Sequence, residues 1–157
     1  MKDKDFLIFL AIGALLIGTT GGAIYMGTRG LRNNNPGNIR HSGSRWQGMS
    51  ADQSGDSAFV QFDKPEYGIR ALAKLLKNYQ SRYQLLTVRQ IINRWAPPTE
   101  NDTGTYVDYV ARTANVNPDD RININDKMLP VVNAIIKYEN GVNPYPNETI
   151  TTGISLA

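Results

Sequence analysis

The stretch Thr28-Arg-Gly-Leu-Arg-Asn-Asn-Asn-Pro-Gly-Asn-Ile-Arg40 decides how this chain is read, because it follows directly on an uncharged hydrophobic segment. Three consecutive asparagines running into Pro36-Gly37 supply side-chain amides and a tight turn. Such a loop can start a fold, and it can also hold a polar, hydrogen-bonding ligand such as a sugar.

Working back from it, residues Phe6 to Thr28 carry no charge, and Phe6 to Ile17 are almost wholly apolar. A segment of that length can cross a hydrocarbon core as a helix. A signal peptide competes with this reading, but Met1-Lys-Asp-Lys-Asp5 is charge-balanced where a signal peptide starts positive. Lys2 and Lys4 before the segment face Arg29, Arg32 and Arg40 after it, so orientation stays open. The expected division is a transmembrane anchor over residues 1–28, a domain over 29–142 and a flexible, Asn/Pro/Thr-rich tail over 143–157.

Working forward, residues 37–41, 45–48 and 57–62 are short segments between Ser/Gly/Asp-rich turns and predict a small antiparallel β-lobe. Asp63-Lys-Pro-Glu66 has the form of a capping box. Behind it Ile69, Leu72, Leu75, Leu76 and Tyr79 recur at helical spacing. Thr87 starts a second helix that carries Ile91, Ile92 and Trp95 and ends at Pro97-Pro98. Thr103 caps a third, with Tyr106, Val107, Val110 and Ala114 facing inward. A fourth runs from about Asp126 to Asn140, buries Leu129, Val132, Ile135 and Ile136, and stops at Gly141. The fold class expected is α+β: an N-terminal transmembrane helix, then a small, mostly helical domain with a short β-lobe and a groove between the parts.

Composition narrows the chemistry. The absence of cysteine removes disulfides, thiolate nucleophiles and sulfur-ligated metals, and the single His41 cannot make a zinc site. No cofactor or metal is expected. The net charge of +3 is modest and the basic residues are scattered along the chain, so a nucleic-acid footprint is not apparent. Carboxylate chemistry remains. Glu66 reads as a first-turn cap partner and Asp108 as a surface residue. Glu100 sits in Trp95-Ala-Pro-Pro-Thr-Glu-Asn-Asp-Thr103, a proline-stiffened loop with Trp95 and Tyr106 nearby. Desolvation there would weaken its acidity and suit it to protonating a glycosidic oxygen, although acids near a helix start are commonly dipole partners.

Arg29 to Arg40, Trp46-Gln-Gly48, Phe59-Val-Gln-Phe62, Pro65 to Ala71, and Trp95 to Thr103 followed by Tyr106 together resemble a family of phage and prophage virion-associated proteins. These are described as structural proteins or as lytic transglycosylase-like murein enzymes, and the likeness runs from Arg29 to about Asp120. The order of features is loosely similar to bacterial glucosaminidases of the lysozyme superfamily. Those carry their acid upstream of the Asn-rich turn, where this chain has no Glu.

The resemblance implies a lysozyme-like domain acting on peptidoglycan, with Glu100 as acid and later base. Asn34, Asn35 and Asn38 would hold N-acetyl or hydroxyl groups. Trp46, Trp95 and Tyr106 would offer flat faces to sugar rings, and Thr103 would stand beside them. For Trp95, helical spacing after Ile91 and Ile92 equally predicts core packing. The partners implied are peptidoglycan strands, a lipid bilayer and other virion proteins, with no nucleic acid. The implied placement is a single-pass protein of a phage membrane or of a host inner membrane. The alternative is a non-catalytic structural protein of the virion.

Overall fold

The computed structural model describes residues 27–99 and 102–157. Among them the helices are α1 (Arg29–Arg32), α2 (Pro65–Tyr83), α3 (Val88–Trp95), α4 (Thr103–Thr113), α5 (Ile124–Asn140) and α6 (Asn147–Ser155). The long helix α2 is the organising element. It packs against α6, α5 and α3, while α4 closes the other side against α3 and α5. Its buried face, including Ile69, Leu72, Leu76 and Tyr79, follows the spacing read from the sequence. Full burial of each such aliphatic side chain stabilises the fold by roughly 1.5–3 kcal/mol before the entropy of ordering is charged against it.

The helix boundaries have local causes. Thr87 caps α3 by accepting from the amide of Gln90. Asp102 caps α4 by accepting from the amide of Thr105, one residue before the cap expected at Thr103. α5 begins at Ile124 behind the Asn123 cap and ends at Gly141, whose φ of 73° is the left-handed stop. At α2 the capping box does not form: Lys64 holds the N-cap position without a side-chain bond, and Pro65 opens the helix.

The expected α+β class is corrected. In place of a β-lobe, the described residues show three isolated antiparallel bridges, Arg40 with Phe59, Met49 with Phe62 and Thr87 with Arg121. Side-chain amides take the backbone groups that a ladder would use. Asn35 donates to the carbonyls of Ile39 and Val60 and accepts from the amide of Ile39. Gln53 likewise holds the carbonyls of Ser50 and Gln61 and the amide of Gln61. Local amide bonding of this kind competes with regular pairing.

The expected transmembrane helix and single-pass membrane placement have no counterpart among the described residues. No helix among the described residues is long and apolar enough to cross a membrane. The run Phe6 to Ile17 itself lies outside the described residues.

The tail, expected to be flexible, carries α6. Ile150 and Gly153 are buried, and α6 lies along α2. The approach is close enough that a Cβ on Gly153 would stand 2.6 Å from Ile69 Cγ2 and 2.8 Å from the carbonyl of Glu66. Gly153→Leu is therefore expected to destabilise the protein by about 1–3 kcal/mol through overpacking. Exposed Thr152→Ala should stay within about 0.5 kcal/mol of wild type. Denaturant unfolding of the two variants checks this, and an unchanged midpoint for Gly153→Leu would show that α6 is not seated there.

Candidate functional site

The Asn-rich turn is built by its own side chains. Asn34 and Asn38 both adopt φ of 51°, a left-handed conformation that asparagine tolerates better than most residues. Asn33 donates to Asp56 Oδ2 at 2.7 Å, Asn34 to the carbonyl of Phe62 at 2.9 Å, and Asn35 to Ile39 and Val60. From the far end of the chain, Asn140 donates to the carbonyl of Pro36 at 2.8 Å. Helix α2 presses on the turn at Gly68, where any Cβ would collide with the carbonyl oxygen of Asn34.

Asp56 anchors the outer side of the turn. Its carboxylate pairs in a fork with Arg29 and also accepts from Asn33 and from the amides of Ala58 and Phe59. Burial alone would raise its pKa. The bonds from Arg29, Asn33, Ala58 and Phe59 outweigh that and hold the carboxyl well below the usual range. Arg29 in turn lies over the ring of Phe59, 4.4 Å from its centroid.

Inside, Glu139 of α5 joins four parts of the chain. Its Oε1 accepts from Trp95 Nε1 at 3.1 Å and from the Tyr106 hydroxyl at 3.0 Å, and its Oε2 accepts from Asn38 Nδ2 at 3.1 Å. Trp95 and Tyr106 are fully buried, and Glu139 is 6% exposed. Desolvation pushes the Glu139 pKa up to about 7, against the opposing pull of three donors. The neighbouring Tyr106 hydroxyl is raised too, first by burial and then by the nearby carboxylate.

A groove of about 480 Å³ opens on another side of the molecule. One wall is the 40–48 loop, with Arg40, Arg45 and Trp46 interleaved by Ser42, Ser44 and Gln47. The other is one face of α2, where Arg70, Lys74, Asn78 and Arg82 form a ladder at four-residue spacing beside Leu75, Tyr79 and Tyr83. Five cationic side chains thus converge on it, and no Asp or Glu stands among the described residues lining it. Tyr79 connects floor to core, its ring edge-on to Trp95 with centroids 6.5 Å apart. Arg94 braces the floor from beneath, 3.8 Å from the Tyr83 ring centroid.

Of the site residues read from the sequence, Trp46 lines the groove. Asn34, Asn35, Asn38, Trp95, Thr103 and Tyr106 are not in its lining. Asn38, Trp95 and Tyr106 are gathered instead on Glu139, and Thr103 donates to the carbonyl of Ala96 at 2.7 Å inside the core. Glu100 lies outside the described residues. Sequence reasoning missed Glu139, although Val132, Ile135, Ile136 and Glu139 continue one stripe at helical spacing. It also missed the polar ladder of Arg70, Lys74, Asn78 and Arg82, whose four-residue period reads as an ordinary solvated helix face.

These features define a small helical domain with an amide-stapled turn and a cationic, aromatic groove. No family model matches the chain. It is 39% identical over 155 residues to Protein P5 of Pseudoalteromonas phage PM2, covering 96% of this chain and 95% of that protein. The chain belongs to the family of that bacteriophage protein.

The two carboxylates act on stability in different pH windows. Glu139 has a folded pKa above its ordinary value of 4.5, so its contribution is complete below about 4.5 and is lost as pH rises to about 7. Unfolding free energy should fall across that window by on the order of 3 kcal/mol, and Glu139→Gln should flatten the slope. A slope that survives in the glutamine variant would place its source elsewhere. Asp56 has a depressed folded pKa, so its contribution is present above the ordinary value of 3.8 and is lost as pH falls below it. Asp56→Asn should cost about 2 kcal/mol at neutral pH and weaken the loss of stability in acid. Denaturant titrations carried from pH 8 down to about pH 1.5 measure both.

Proposed function

We propose that this protein is a non-enzymatic structural component of a phage particle, built on a lysozyme-like helical scaffold and engaged with other particle proteins. The observation that supports this most directly is the fate of the carboxylates. Cleaving a glycosidic bond needs a carboxyl group beside the scissile oxygen. The groove lining holds none among its described residues, and Glu139 is closed into the core by three donors. The phage relative supports the setting, and the sequence resemblance to virion-associated proteins supports the particle.

The enzymatic alternative rests on Glu100, so the test is built around that residue. Purified full-length protein is run in a gel containing bacterial cell wall, beside Glu100→Gln. The expected result is no clearing by either, together with recovery of the protein from purified particles by mass spectrometry. Clearing by wild type that Glu100→Gln abolishes would overturn the structural reading in favour of a lytic transglycosylase. Absence of the protein from particles would overturn it as well.

A further inference from the structure

We propose that the groove between the 40–48 loop and α2 is a binding site for single-stranded nucleic acid, with phosphates along the α2 ladder and bases against Trp46 and Tyr83. This inference concerns the groove alone and does not depend on the structural role proposed above. Scattering of basic residues along the sequence removes a nucleic-acid footprint only if they stay apart in space. Folding brings Arg40, Arg45, Arg70, Lys74 and Arg82 to one concavity.

Three features favour a phosphodiester strand. Charge comes first: five cations and no described carboxylate in the lining make a site that attracts anions. The second is spacing. Arg70 and Lys74, four residues apart, are separated by about 6 Å along the helix axis, close to the interval between successive phosphates of an extended strand, and Arg82 follows about twice that distance on with the neutral Asn78 between. Arg70 donates to the main-chain oxygen of Leu156 and Lys74 to that of the last residue, Ala157, so the segment that follows α6 holds these two rungs in place. Arg45 and Arg82 are exposed.

The third is the aromatic content. Trp46 is half-buried at the groove wall and its indole N–H has no hydrogen-bond partner, so packing alone holds the ring. Tyr83, braced by Arg94, stands on the opposite wall. A cationic groove with aromatic faces is the arrangement on which successive bases stack without sequence preference. An acidic peptide would satisfy the cations and leave the rings without stacking partners. A groove of about 480 Å³ takes one or two nucleotides of a single strand and not the width of a duplex.

The test is fluorescence polarisation of a labelled oligothymidylate with the full chain at rising salt, alongside tryptophan emission. Expected are saturable binding that weakens steeply with salt, and quenching of tryptophan emission that is lost in Trp46→Phe. The Arg45→Glu/Arg82→Glu double variant should bind at least tenfold more weakly with an unchanged circular dichroism spectrum. Arg89→Glu, an exposed residue paired with Asp119 and outside the groove lining, should bind as wild type. No binding, or equal binding by the double variant, would overturn the proposal. So would tighter binding of a duplex than of the single strand, or displacement of the oligonucleotide by polyglutamate or inorganic polyphosphate at matched charge.

Discussion

The fold depends on a buried carboxylate that three donors contest with its own desolvation. Glu139 receives Asn38 from the turn, Trp95 from α3 and Tyr106 from α4, so one side chain of α5 ties together three segments well separated in sequence. All three partners donate, which suits the ionised form. The surrounding core, fully buried at Trp95 and Tyr106, suits the neutral one. An interaction balanced in this way specifies geometry more than it adds stability, since apolar residues of the same volume would avoid the cost of burying charge. Its value lies in fixing the direction of each donor, and hence the seating of the Asn-rich turn against the helices.

The helices were legible in the sequence because their stabilisation comes from a periodic apolar face, and period survives in the one-dimensional string. Ile69 to Tyr79, Ile91 to Trp95, Tyr106 to Val110 and Val132 to Ile136 all turned inward as their spacing required. Between Gly37 and Phe62 the string was misleading. Alternating short segments suggested strands, but the amides of Asn35 and Gln53 occupy the backbone groups that strands would share, and side-chain competition of that kind has no periodic signature. The tail was misjudged for a related reason. It has little apolar content, and α6 is seated through one isoleucine and a glycine that allows contact with α2, a fit invisible without the partner helix.

The candidate site was less legible still. The asparagines have the chemistry of a ligand-binding loop, yet their amides are directed to carbonyls and carboxylates of the same chain. A stretch rich in hydrogen-bonding side chains binds outward or inward according to what lies across from it, and the sequence does not say which. The groove shows the converse. Arg70, Lys74 and Arg82 have the pattern of a solvent-facing helix edge, and only the folding of the 40–48 loop opposite them makes a concavity. The polar groups of the turn are largely spent on the domain's own architecture, and the groove is the concave surface left open beside them.

Asn140 precedes Gly141, and an asparagine followed by glycine is the pair whose backbone nitrogen most readily attacks the side-chain amide to close a succinimide ring. In the native chain that amide is occupied, donating to the carbonyls of Pro36 and Ile136 and accepting from Thr28. Folding therefore shields the bond chemically. Once unfolded, the protein starts a clock: each chain that converts Asn140 to aspartate or isoaspartate loses the two N–H donors that the carbonyls of Pro36 and Ile136 require, so the fraction able to regain the native state shrinks with time spent denatured.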